Sequence, residues 1–134
     1  MNRLPGTIAA VESSGSVALV DVAVDGQRYT ALLLDADPAR FRAGAGATLL
    51  FNETEVALAK GLSGIISLRN RLSGTVEAIE EGRLMSRVLL RVGAHSVSSV
   101  ITTRSLHALQ LGVGDAVEGL VKSNEMHLIL AEAA

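Results

Sequence analysis

Chemistry in this chain can come from a small set of donors. Lys122 is one of only two lysines, the other ten cations being arginines. A compact ammonium with three donors suits a tetrahedral dianion, whereas the planar guanidinium fork suits bidentate carboxylate or phosphate geometry. A tetrahedral oxoanion offers only acceptors, so its receptor must present hydroxyls, an ammonium or backbone N–H groups. Ser67, Thr102, Ser105, Ser123 and Asn124 are neutral donors able to complete such a shell around Lys122. Each also has an ordinary reading. Lys122 can be a solvated lysine at a strand end, Ser105 a helix N-cap, Thr102 a strand threonine and Ser67 a linker residue. Arg69 can pair with Glu77 or Glu125, and Lys60 reads as a linker lysine.

Other chemistries find little to work with. His95, His107 and His127 show no His-x-x-x-His spacing and cysteine is absent, so neither a metal-cation site, a thiolate nor a disulfide is expected. Gly44-Ala45-Gly46-Ala47 lacks the Gly-Lys-Ser/Thr that follows in a phosphate-binding loop. No catalytic residue, cofactor or enzyme activity is expected. A net charge of −2 and 2% aromatics, namely Tyr29, Phe41 and Phe51, leave neither an electrostatic footprint nor a stacking platform for nucleic acid. No apolar run reaches membrane-spanning length and the first residues do not resemble a leader, so a cytoplasmic protein without membrane association is expected.

The elements that must position these donors come twice. Asn2-Arg3-Leu4-Pro5-Gly6-Thr7-Ile8-Ala9-Ala10-Val11-Glu12 recurs 68 residues later as Asn70-Arg71-Leu72-Ser73-Gly74-Thr75-Val76-Glu77-Ala78-Ile79-Glu80, with seven of eleven positions identical. The same shift carries Gly44-Ala45-Gly46 onto Gly112-Val113-Gly114. With two extra residues, the segment from Asn52 to Leu58 falls on that from Lys122 to Leu128. The repeats divide the chain into 1–62 and 63–134.

Within each repeat the hydrophobic period is two, with turn signals between short runs. Strands are expected in the second repeat near 70–80, 85–92, 95–103, 115–122 and 126–131, turning at Glu81-Gly82 and Gly93-Ala94. One short helix is expected at Ser105–Gln110 with Ser105 as its cap. In the first repeat Asp37-Pro38-Ala39-Arg40-Phe41 predicts the same helix, with an aspartate cap and proline at the first helical position. The fold class is therefore all-β, two tandem OB-like five-stranded barrels each with one short helix. Units this small bury limited surface, and exposed apolar faces favour a homo-oligomer.

Three segments resemble one family. Ser67-Leu68-Arg69-Asn70, followed by Gly74, is similar to the Ser-Ala-Arg-Asn opening of the molybdate-binding Mop (TOBE) domain. Ile101-Thr102-Thr103-Arg104-Ser105 resembles its Val-Thr-x-x-Ser. Val121-Lys122-Ser123-Asn124-Glu125-Met126 resembles its Lys-Ala-Ser/Thr-x-Val. The two repeats together resemble the molbindins, free-standing tandem Mop domains. The resemblance implies binding of molybdate or tungstate for storage, buffering or delivery, at sites formed between subunits or units, and a trimer as the homo-oligomer. It implies Ser67, Leu68, Arg69, Asn70, Thr102, Ser105, Lys122, Ser123 and Asn124 as the ligand-binding residues. A detached regulatory or accessory module, sensing the oxoanion alongside a molybdate transporter or repressor, is the alternative. A transporter or a molybdenum-cofactor pathway protein is then the expected partner.

The first repeat departs from these motifs. Thr102 corresponds to Leu34, Ser105 to Asp37 and Lys122 to Asn52. The donors are lost and Asp37 would repel an anion, so the first repeat is expected to be structural and the second to carry the ligand.

Overall fold

The computed structural model describes residues 1–131. Ten strands follow in chain order: β1 (Asn2–Ser14), β2 (Val17–Val24), β3 (Gln27–Leu34), β4 (Gly46–Phe51), β5 (Ala57–Ala59), β6 (Asn70–Glu81), β7 (Met85–Val92), β8 (His95–Thr102), β9 (Ala116–Val121) and β10 (His127–Leu130). One α-helix, α1 (Thr103–Ala108), precedes β9, and single 3₁₀ turns at Glu53–Glu55 and Ser123–Glu125 precede β5 and β10. The expected strands of the second repeat are present with ends shifted by a residue or two.

Alternation builds each sheet. Along β2 the residues Ala18, Val20, Val22 and Val24 are buried, and along β7 Ser86, Val88, Leu90 and Val92, so one side of each strand faces a core. Both long first strands carry a bulge at the equivalent residue, between Ile8 and Ala10 in β1 and between Val76 and Ala78 in β6. A bulge bends its strand and increases local twist, which lets one strand pair with two neighbours around a curled sheet. Gly6 and Gly74 sit just before the bulges. A Cβ on Gly74 would come within 2.6 Å of the Arg91 carbonyl oxygen, and one on Gly6 would collide with that of Ala23, so the curl requires glycine at both.

The chain forms two compact units that do not coincide with the sequence repeats 1–62 and 63–134. Unit 1 holds Met1–Phe51 and the residues from Lys122 onward, and unit 2 holds Asn52–Val121. The five strands of unit 1 lie in the order β10-β4-β1-β2-β3, those of unit 2 in the order β5-β9-β6-β7-β8, with every pairing antiparallel. Each sheet thus takes its fifth strand from the other half of the chain. The two arms share a pattern rather than a sequence, with Glu55/Glu125 and Leu58/Leu128 the identical positions between Asn52–Leu58 and Lys122–Leu128, and each lays a short strand along the edge beside β9 or β4. The unit 2 arm is held by side chains: buried Ser99 donates to the Val56 carbonyl at 2.6 Å, and Arg87 pairs with Glu53 at 3.2 Å. Lys60 is no idle linker residue, since its Nζ donates to the Gln110 carbonyl at 2.9 Å and to Asp115 Oδ2 at 3.0 Å.

Two local expectations are corrected. Asp37–Phe41 makes a turn rather than a helix: Phe41 N–H donates to the Asp37 carbonyl at 2.9 Å and Ala39 N–H to Asp37 Oδ1 at 2.9 Å, and the chain then passes into a separate turn in which Ala45 N–H donates to the Arg42 carbonyl at 3.1 Å. Asp37 caps as expected, yet Gly44 and Gly46 lie too close in sequence for the helix to propagate. In the second repeat Thr102, not Ser105, is the N-cap, its Oγ1 accepting from Ser105 N–H at 3.1 Å.

Candidate functional site

The nine expected site residues fall in two groups. Six lie in unit 2. Ser67, Leu68 and Arg69 belong to the irregular lead-in to β6, where Arg69 donates to the Ile66 carbonyl at 2.8 Å instead of pairing with Glu77 or Glu125. Glu77 is taken by Arg91 at 2.9 Å.

Asn70 opens β6 opposite Val121 and is completely buried. Asn2, its equivalent in β1, is buried too, opposite Phe51. An asparagine at this corner in both units, including the one without the other opening residues, points to a structural role for the side chain.

Thr102 and Ser105 are brought together at the β8–α1 corner. Thr102 Oγ1 donates to Ser105 Oγ at 2.8 Å while accepting from the Ser105 N–H, so the Thr102 hydroxyl is satisfied and the Ser105 hydroxyl proton is left to give. Both residues are exposed. Beneath them Thr103 is buried: its Oγ1 donates to the Gly82 carbonyl at 2.8 Å and meets Ser86 Oγ at 2.8 Å, and its N–H donates to the Leu84 carbonyl at 2.9 Å. This buried network fixes where the Thr102 and Ser105 hydroxyls stand. Sequence reasoning missed it, because a Ser and a Thr on neighbouring elements carry no pairing signal of their own.

The remaining three, Lys122, Ser123 and Asn124, belong to unit 1, where the Ser123–Glu125 turn packs against β3. Lys122 is exposed and has no acidic partner among the described residues. Unit 2 holds the corresponding arm of the first repeat, Asn52-Glu53-Thr54, in which Glu53 is an acid engaged with Arg87. Strand exchange has therefore crossed the motifs. Unit 1 combines Lys122, Ser123 and Asn124 with Leu34 and Asp37, and unit 2 combines Ser67, Thr102 and Ser105 with Glu53. Neither holds the whole donor set.

Fixed ion pairs surround this framework. Arg71 grips Glu118 with two bonds, Nε to Oε2 at 2.7 Å and Nη2 to Oε1 at 2.6 Å, and the arginine holds the carboxyl below its ordinary range. Asp115 is likewise held low, first by the Gly112 N–H donating at 2.8 Å and then by Lys60. No cluster of His, Cys, Asp or Glu suited to a metal ion occurs among the described residues.

Comparison with known proteins agrees with this architecture. The TOBE domain profile matches twice, over residues 1–58 and 66–128. The chain is 33% identical over 135 residues to the molybdenum-pterin-binding protein MopA of Rhodobacter capsulatus, covering 97% of this chain and 50% of that protein. It is 28% identical over 127 residues to the molybdenum transport protein ModE of Herbaspirillum seropedicae, covering 91% of this chain and 47% of that one. The chain thus spans about half the length of these curated relatives. A molybdate-bound crystal structure of the cytoplasmic molybdate-binding protein ModG superposes with a TM-score of 0.90 at 26% identity, covering 95% of this chain and 94% of that one. Two matched repeats, two curled five-stranded sheets and a shared overall architecture lead to one conclusion: the chain belongs to the TOBE-domain family.

Proposed function

We propose that this protein binds molybdate or tungstate as a free oxoanion, for storage, buffering or delivery in the cytoplasm, and that it is not an enzyme. The observation that carries this reading is the likeness over nearly the full chain to a molybdate-bound ModG. The donor chemistry supports it: Lys122, without an acidic partner among the described residues, the exposed Ser105 hydroxyl and the polar run Ser123-Asn124 suit an acceptor-only dianion. Because each unit presents only part of the set, a homo-oligomer, expected to be a trimer, supplies the missing donors where subunits meet. The second repeat contributes all nine of the expected ligand-binding residues, and the first is mainly structural.

Native mass spectrometry with and without molybdate tests ligand and assembly together. A trimer that takes up molybdate is expected. A monomer with bound molybdate would overturn the subunit sites, and no uptake at micromolar molybdate would overturn the function. The similarity to ModE favours one alternative, a sensing module acting on a regulatory partner. That reading requires molybdate to change the protein's affinity for another chain rather than its own loading alone.

A further inference from the structure

The cations of unit 2 are nearly all occupied. Lys60 is held by Asp115, Arg71 by Glu118, Arg87 by Glu53, Arg91 by Glu77 and Arg69 by the Ile66 carbonyl. Arg83 and Arg104 alone in this unit have no acid or carbonyl partner among the described residues, and both are exposed. They line one cleft of about 380 Å³ between the β6–β7 turn and the β8–α1 corner, together with Leu84, Met85, Thr102 and His107. His107, which lines the cleft, meets Glu81 Oε1 at 3.1 Å through its Nε2. Leu84 and Met85 leave 74% and 50% of their surface open there.

Unit 1 supplies an internal control. Its equivalent corner keeps the backbone contact, with Asp35 N–H donating to the Ser16 carbonyl at 2.7 Å as Thr103 N–H does to Leu84. It is built with Gly15 in place of Arg83, Ser16 for Leu84, Ala36 for Arg104 and Ala39 for His107. That backbone contact forms without these side chains, although unit 1 carries a turn where unit 2 carries α1, so the contact itself does not explain them. Arg104 also stands at a position that the Val-Thr-x-x-Ser pattern leaves open.

We propose that this cleft is a second anion site, which shares Thr102 but neither Ser105 nor the Lys122 segment with the expected oxoanion set, and which takes a phosphate monoester carrying an apolar body. Two guanidinium forks match the paired oxygens and double charge of a phosphoryl group. The Leu84 and Met85 surfaces give an attached apolar group something to cover. The cleft volume lies in the range of small-molecule sites, about 300–1,000 Å³, rather than that of a bare oxoanion.

The test uses the full chain and two probes, inorganic phosphate and phenyl phosphate, at pH 8, where a monoester with a second pKa near 6 is a dianion. Binding is followed by calorimetry and by amide shifts at Thr103–Arg104. Phenyl phosphate is expected to bind more tightly than inorganic phosphate. Arg104→Gln and Arg83→Gln should each weaken it at least tenfold, about 1.4 kcal/mol. Arg28→Gln, an equally exposed arginine on β3 of unit 1, and Lys122→Ala should leave it unchanged. Thermal melting of the arginine variants should match the parent chain, since neither arginine has an acid or carbonyl partner among the described residues. Equal affinity in Arg104→Gln and the parent, no preference for the aryl ester, or an equal loss in Lys122→Ala would each overturn the proposal.

Discussion

Lys122 and Lys60 illustrate how two residues of one type acquire different roles. Lys60 is spent on Asp115 and the Gln110 carbonyl, whereas Lys122 has no acid to hold among the described residues. Replacing Lys122 with alanine is therefore expected to weaken molybdate binding about tenfold or more, since a charge-assisted hydrogen bond contributes about 1.5–3 kcal/mol. Lys60→Ala is a poor control because it releases the arm of unit 2. Arg28→Ala, which breaks no ion pair, is the proper one, and calorimetric titration of both variants decides the matter. Asp115 allows a prediction about acid. Its folded-state pKa is depressed, so its stabilisation is complete above the unfolded value, near 4 for a carboxylate, and is lost as pH falls through the lower folded value. Melting temperature should drop on acidification below about pH 4, and Asp115→Asn should be less stable at pH 7 but lose less between pH 5 and pH 3. Parallel pH–melting curves for the two proteins would show that Asp115 does not contribute.

Strands and turns were the most legible level of this chain. Alternation along β2 and β7, the Gly93-Ala94 turn and the repeated openings of β1 and β6 all translate directly into the elements observed. Part of the candidate site's geometry was legible too: Thr102 and Ser105 do meet, because both belong to one short corner. Which unit receives Lys122 was not legible. The arms ending in β5 and β10 have the same pattern and nearly the same length, and a periodic signal states which face of a strand is buried without naming its neighbour. The Asp37 helix failed for a different reason, since a good cap cannot compensate for the cost of nucleating so short a segment.

The exchange makes a prediction about fragments. Residues 52–121 contain a whole compact unit, with β5 and the Glu53–Glu55 turn already in place. Residues 63–134 lack that arm and carry a different one. The first fragment is expected to fold as a monomer with a cooperative thermal transition. The second is expected to self-associate through its own β10 arm or to remain poorly ordered, as judged by circular dichroism and sedimentation. A monomeric, cooperative 63–134 would show that the arms are interchangeable within a single repeat.

For the whole molecule, net charge says little about selectivity: at −2 the chain has no general attraction for anions. Discrimination must come from the fit of fixed donors. Sulfate has the charge and shape of molybdate but is smaller, so a shell preorganised for molybdate leaves it with longer hydrogen bonds. If a few bonds each lose part of their roughly 1.5–3 kcal/mol, a preference on the order of a hundredfold follows, because about 1.4 kcal/mol is a factor of ten. Tungstate, close to molybdate in size, should compete well. Titration of molybdate against excess sulfate and then excess tungstate, at constant ionic strength, checks this. Displacement by sulfate as readily as by tungstate would reduce the site to a general anion nest.

Crossed arms also bear on how the two halves can diverge. In a simple tandem duplication each copy accumulates changes privately, and one is free to decay while the other keeps its role. Here a substitution in the 52–59 arm is felt by the sheet of the second copy, and one in the 122–130 arm by the sheet of the first. Val56 illustrates this: it is inherited with the first copy, but its carbonyl meets Ser99 of the second. The loss of donors in the first copy shows that the rest of a copy can drift, but neither arm can change without the sheet of the other copy, so a swap of one repeat for a foreign homologue must carry its arm's partner sheet with it.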